Sequence, residues 1–266
     1  MIKYDKLPAF FIGHGSPMNI TQDNEFTRDL KKIGNSIPKP EVILVISAHF
    51  LTRGTFVTCK SHPDQIYDFY GFPKELYEFK YRPSGHPEKG KMITDLKSSI
   101  KIRCTNEWGL DHAAYMILGH IYPDADIPTI EMSLDYYQKP EYHYFFAKSL
   151  KPLREKGFLI IGSGNMIHTF QYIEYNQYAK PYPWAVEFDN ILKENILNLN
   201  HENLIHYERL SLSSKAFQTN EHYLPMLYIL ALQDENEPIE FIHEGFQHGS
   251  ISHRSFRIGK KLMSSF

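Results

Sequence analysis

The chain has 266 residues, 42% hydrophobic and 23% charged, with 29 Lys and Arg against 31 Asp and Glu. That length and composition predict a folded domain with a sizeable core, and a net charge of -2 leaves no basic footprint for nucleic acid. No window is apolar for long enough to span a bilayer, and Met1-Ile-Lys-Tyr-Asp-Lys-Leu-Pro8 lacks the apolar centre of a signal peptide. The two cysteines, Cys59 and Cys104, form no CxxC motif and suggest no disulfide framework. The expectation is therefore a cytoplasmic protein with reduced thiols, in which any metal would rest on histidine and carboxylate.

Taken in chain order, Ala9 to Gly13 is a short apolar strand. A helix follows from about Asp23 to Ile33, capped near Asn24 or Asp23 and ended by Gly34. Glu41 to Ser47 is the clearest buried strand, continuous in Val, Ile and Leu, and Thr55 to Cys59 is another. Residues 60–88, rich in Pro, Gly, Tyr and Phe, read as a long ordered loop of the kind that forms lids or binding walls. Lys89 to Ser99 reads as helix, Trp108 to His112 as a turn, Ala113 to His120 as helix, and Ile127 to Ser133 as a strand. Pro140 to Glu155 is helical and stopped by Gly157, and Phe158 to Gly162 is a buried strand running into Gly-Ser-Gly. Two helices, Trp184 to Leu199 and Tyr223 to Leu232, precede a closing hairpin of Ile239 to Phe246 with Ser250 to Ile258. The alternation predicts a single α/β domain over residues 1–266, with a central, mostly parallel or mixed sheet flanked by helices.

Three of the 14 histidines follow apolar runs: His14 and His49 directly, His168 a few residues later. Strand carboxyl ends in an open α/β sheet converge on one crevice, and imidazoles gathered there suggest a metal site. Each has a plainer reading. His14, between Gly13 and Gly15, could be a turn histidine, and His49 could close the core with one nitrogen on a carbonyl. His168 follows Gly162-Ser163-Gly164, which lacks the third glycine of a dinucleotide loop and any GxSxG elbow; it could be a fourth ligand or a free acid/base. His222 competes with Glu221, since two histidines and a carboxylate form the facial iron site, and neighbours on a helix diverge, so one of the two should face the metal. His112 could polarise a substrate oxygen, or merely sit beside an Asp111 helix cap. His248 and His253, in the terminal hairpin, could approach the site or lie on the surface, and the surface is the favoured reading. His62, His86, His120, His143, His201, His206 and His243 are expected to be surface or packing residues.

Several segments together resemble a known family. They are Phe11-Ile-Gly-His-Gly-Ser-Pro-Met18, Ile46-Ser-Ala-His49, Asp68-Phe-Tyr-Gly-Phe-Pro73, Gly109-Leu-Asp-His112, Gly162-Ser-Gly-Asn165 with His168, and Glu221-His-Tyr-Leu-Pro225; Gly245-Phe-Gln-His-Gly-Ser250 is also similar. In this order, spanning nearly the whole chain, they resemble the class III extradiol ring-cleavage dioxygenases, and most closely the 4,5-DOPA dioxygenase extradiol-like group of the LigB superfamily. The resemblance implies one divalent metal, Fe(II) for activity or Zn(II) as isolated, with His14, His49 and His222 as ligands. It implies His168 as an acid/base histidine beside the metal or a fourth ligand, and His112 in the substrate pocket.

The implied activity is cleavage of a catechol (DOPA-like) ring with O2, giving a ring-opened semialdehyde. The partners would be a small aromatic diol and O2, with no nucleic acid and no membrane. Tyr70, in the aromatic loop, is a candidate substrate contact, although Phe69, Tyr70 and Phe72 could equally be core packing. Family members commonly carry His-Pro-Thr shortly before the Glu-His segment; this chain reads Phe217-Gln218-Thr219, a change that could reshape the pocket. Two other readings use the same residues. One is a zinc hydrolase with His168 as base, and the other a non-catalytic metal-binding protein.

Overall fold

The computed structural model describes residues 5–98 and 100–260. Ala9–Gly13 (β1) is buried along its whole length. Its side chains alternate between two cores: Phe11 joins one cluster, Phe10 and Ile12 the other. Period-two alternation with both faces covered explains why this strand, and Phe158–Gly164 (β6) like it, read as continuous apolar runs. Glu25–Gly34 (α1) begins in a capping box between Asn24 and Thr27.

Val42–Thr52 (β2) runs five residues beyond its expected end. Its pairing with Thr129–Asp135 (β5) slips between Ile46 and Leu51: five steps along β2 match two along β5. His49 lies in that bulge, where an unpaired stretch can re-aim a side chain. The remaining elements are Thr55–Thr58 (β3), Lys74–Glu78 (α2), Pro87–Thr94 (α3), Ile102–Thr105 (β4), His112–Ile121 (α4), Pro140–Ala147 (α5), Pro183–Leu197 (α6), His201–Ile205 (α7), Ser213–Ala216 (α8), Leu224–Ala231 (α9), Ile239–His243 (β7), Phe246–Gln247 (β8), Ile251–Ser252 (β9) and Ser255–Ile258 (β10).

Eight strands form one mixed sheet in the order β4-β3-β5-β2-β6-β1-β10-β7. β5, β2, β6 and β1 are mutually parallel, so their carboxyl ends share one edge. The antiparallel β10 and β7 extend the sheet beyond β1, as the predicted closing hairpin requires, with the small β8–β9 ladder inserted between them. Helices α1 and α4 cover one face, α5, α6 and α9 the other. All eight residues of α9 are buried, which explains a helix apolar all round.

Three expectations need correction. The predicted helix over Pro140 to Glu155 divides at Ala147 and continues as a 3-10 segment, Lys148–Glu155, that contains Pro152; proline has no N–H for the helical ladder. Strand β4 went unrecognised because it is a four-residue edge strand with exposed Arg103 and Cys104. Cys59 and Cys104 are not free thiols but a disulfide across 45 positions. Strand pairing brings them together, Val57 facing Cys104 across the β3–β4 ladder. Among the described residues no helix is long and apolar enough to cross a membrane.

Candidate active site

The shared carboxyl edge of β1, β2 and β6 opens into a cavity of about 520 Å³. His14, His49, His112, His168, His222 and Tyr70 all line it, so each sequence-predicted site residue arrives there. A larger depression of about 660 Å³ lies between α3 and the Lys148–Glu155 segment, but its lining is lysine, acid and short apolar residues without histidine.

His14 leaves β1 with its N–H on the Gly164 carbonyl, 2.9 Å. Its Nδ1 lies 3.0 Å from Ser163 Oγ, and that hydroxyl donates to the Ala113 carbonyl at 2.7 Å. A hydroxyl has one proton to give. Ser163 therefore accepts from His14 Nδ1–H, which leaves His14 Nε2 as a lone pair. Asp68 repeats the device. Its Oδ2 is 3.1 Å from His49 Nδ1 and 2.9 Å from His112 Nδ1, while Oδ1 accepts the His112 backbone N–H at 2.9 Å. His222 Nδ1 lies 3.1 Å from Glu221 Oε1. Four rings are thus turned by a partner on Nδ1, the outer contact that orients metal-ligating histidines.

The five rings form one cluster. Ring centroids are 5.4 Å apart for His14–His49, 5.3 Å for His14–His222 and 4.9 Å for His49–His222. His112 lies 4.2 Å from His49 and 5.7 Å from His14. His168 stacks on His222 at 3.7 Å with an interplanar angle of 1°. Ligand atoms of His14, His49 and His112 fall within 4.8 Å of one another, as do those of His168, Glu221 and His222. Glu221 and His222 both face the cavity because they lie in a turn ahead of α9, where the divergence of helical neighbours does not apply.

Burial pulls the pKa of His14, His168 and His222 well below the ordinary histidine value, and the neighbouring imidazoles add to it. Burial and His49 also lower His112. Burial acts the same way on His49, but the Asp68 hydrogen bond and the Asp111, Asp68 and Glu221 charges outweigh it and raise that pKa. Burial works against the Asp68 carboxylate, yet its two histidine partners hold its pKa far down. Behind this layer, burial raises Asp111 and raises Glu131 strongly. Glu131 receives Trp108 Nε1–H and the Asp111 N–H, and Asp111 accepts from Ser47 and caps α4.

The glycines of Gly-Ser-Gly have a packing role. A Cβ on Gly164 would meet the His222 carbonyl oxygen at 2.1 Å, and Asn165 N–H bonds that same oxygen at 2.8 Å. Only a bare backbone lets β6 dock the His222 turn. Gly15 (φ +67°) packs against His253, whose Nε2 would lie 1.8 Å from an added Cβ. His253 is thus buried rather than at the surface, and His248 lines the cavity; both come in because the β8–β9 insertion folds back over the β1 end. Phe217, the departure in the family pattern, packs edge-on to Tyr207 and beside Tyr223 rather than in the cavity wall. Phe69 and Phe72 serve both readings, lining the cavity and packing on the core. The sequence reading assigned no role to Asp68, Ser163, Phe170 or Ile173; Asp68 and Ser163 lie within quoted motifs, whereas nothing local marks Phe170 and Ile173.

The residues fit a divalent ion. His49 Nε2 is buried with no partner, a cost unless something accepts its lone pair, and the donor set is imidazole and carboxylate, which suits iron or zinc. The model of the "Catalytic LigB subunit of aromatic ring-opening dioxygenase" family matches residues 8–259. The chain is 38% identical to a 4,5-DOPA dioxygenase extradiol of Escherichia coli K12, over 96% of this chain and 95% of that one. It is 35% identical to a 4,5-DOPA dioxygenase extradiol of Beta vulgaris, over 94% and 95%. A crystal structure of an uncharacterized Escherichia coli K12 protein superposes with a TM-score of 0.84 at 35% identity, covering 95% of this chain and all of that one. With its fold, its histidine cluster and its full-length similarity in agreement, the chain belongs to the LigB family of extradiol aromatic ring-opening dioxygenases.

Proposed function

We propose that the protein cleaves the ring of a catechol with O2 at one divalent metal held by His14, His49 and His222, Fe(II) in the active form. The observation that carries the ligand choice is the near-equilateral triangle of those three rings, 4.9 to 5.4 Å between centroids. These three rings would hold the ion through their nitrogens, and imidazole suits iron or zinc. Replacing His222 by His112 distorts the triangle to 4.2, 5.4 and 5.7 Å. His168 fits a different role. Its ring is parallel to that of His222, and in-plane lone pairs of parallel rings do not converge on one ion.

When bound, the metal would supply Lewis acidity toward the phenolic oxygens and redox chemistry toward O2. His168, neutral because it is buried among imidazoles, takes a phenolic proton on a ring nitrogen and later returns it. His112, its Nδ1–H fixed on Asp68, keeps Nε2 for a substrate hydroxyl. Phe69, Tyr70 and Phe72 wall the ring. In the overall reaction one ring C–C bond next to the diol and the O–O bond break. Both oxygen atoms enter the product, and the ring carbons supply the electrons, so no outside reductant is needed.

The test is anaerobic preparation, Fe(II) loading and measurement of O2 uptake with catechols. One O2 consumed per yellow semialdehyde formed supports the reading. Inertness with Fe(II), together with ester or amide hydrolysis with Zn(II), overturns it.

A further inference from the structure

Beyond the histidines, Ser16, Asp68, Glu221 and the Tyr70 hydroxyl, the cavity wall is apolar. Met18, Phe69, Phe72, Phe170, Ile173 and Ile251 line it, and among the described residues no lysine or arginine does. Its carboxylates are committed or repulsive toward an anion. Asp68 accepts three N–H groups, and Glu221 turns one oxygen to His222 and buries the other, Oε2, without a partner. His248 gives its Nδ1–H to the Glu174 carbonyl at 2.8 Å.

The rim is apolar as well. Tyr70 is 91% exposed, Phe170 63% and Ile173 42%. Large apolar side chains left in water around a concave site mark a surface that a ligand covers. The cavity, at about 520 Å³, lies in the range that takes a drug-sized ligand, so it has room for more than a single ring.

We infer that the substrate is a catechol whose ring carries an uncharged, apolar substituent, seated against Phe170, Ile173 and Tyr70, and that carboxylate-bearing catechols are excluded. This rests on the ring-cleavage reading above. A carboxylate on that substituent would leave water for a wall with two nearby acids and, among the described residues, no lysine or arginine, which is a cost without a compensating ion pair. DOPA, which gives two of the relatives their names, carries such a carboxylate.

A matched pair tests this: 4-propylcatechol and 3-(3,4-dihydroxyphenyl)propanoate, alike except for the carboxylate. With the Fe(II)-loaded protein, kcat/KM should be about tenfold or more higher for the propyl compound, the scale on which one mismatched group discriminates. Ile173→Arg should narrow that ratio by lowering KM for the acid, and Ile173→Met, long but uncharged, should not. Equal or better turnover of the acid by the wild type, or a ratio untouched by Ile173→Arg, overturns the inference. Calorimetric binding of the same pair to the Zn(II)-loaded protein separates this from the reaction itself. If neither compound is opened, ring cleavage fails, while tighter binding of the propyl compound still supports the substrate class and tighter binding of the acid sinks it.

Discussion

Ser163 shows how one hydroxyl can decide the tautomer of a cavity histidine. Its proton is committed to the Ala113 carbonyl, so it can only accept from His14 Nδ1–H, and His14 is left with Nε2 free. Ser163→Ala removes that acceptor inside a buried site. The expected outcome is a metal affinity weaker by about 10- to 100-fold, read by competition with a chelator, with the fold kept. His168→Ala separates ligand from proton carrier. As an acid/base its loss should lower kcat by about 10²- to 10⁴-fold with metal content unchanged by elemental analysis. A protein that arrives without metal would make His168 a ligand. None of this was visible from the histidine positions alone: that His14 and His49 belong to one site was legible from apolar runs that end in histidine, but Ser163 and Asp68 become partners only when β6 and the 60–73 loop are laid beside them.

Among the elements, the pair β3–β4 at one side of the sheet carries a covalent tie. The loops that leave its carboxyl end bring Asp68 and Asp111 to the site, and Cys59–Cys104 ties the two strands together just before those loops begin. Closing a loop of 45 positions restricts the unfolded chain by up to about 4 kcal/mol on the chain-entropy account. Cys104→Ser should therefore lower unfolding free energy by up to that amount in non-reducing urea titrations, and reductant should have the same effect on the wild type but none on the variant. Identical curves for both proteins in oxidising buffer would show that the bond contributes nothing. The cysteines' spacing carries no sign of this pairing. Likewise the bulge in β2 that re-aims His49 has no local signature, since it arises from a mismatch in length between β2 and β5.

For the molecule as a whole, the buried histidines contribute to the response to acid. Burial lowers His143 to about 4 and His253 to about 3, whereas both titrate near 6.5 in the unfolded chain. Their folded values are depressed, so the unfolded state binds more protons below pH 6.5. Stability is fully present above about 6.5 and is lost as pH falls toward 4 and then 3, with a limiting slope of about 1.4 kcal/mol per pH unit for each group. At pH 5, His143 should bind about one proton from solvent on unfolding, measurable from the buffer dependence of the calorimetric enthalpy. His143→Gln should remove that uptake, and an unchanged value would assign the acid sensitivity elsewhere.

The sequence by itself determined the α/β class, the main strands and helices, the family, and the set of histidines, because apolar periodicity and ordered motifs are local properties of the chain. The tertiary structure alone decided the rest. It placed six imidazoles round one cavity, gave His14 and His49 their Nδ1 partners, stacked His168 on His222, paired the cysteines, and turned Phe217 away from the cavity wall. Those outcomes depend on which strand lies beside which and on how closely two backbones approach, as where Gly164 admits the His222 carbonyl. Such distances follow from the packing of the whole sheet and are not carried by any one segment.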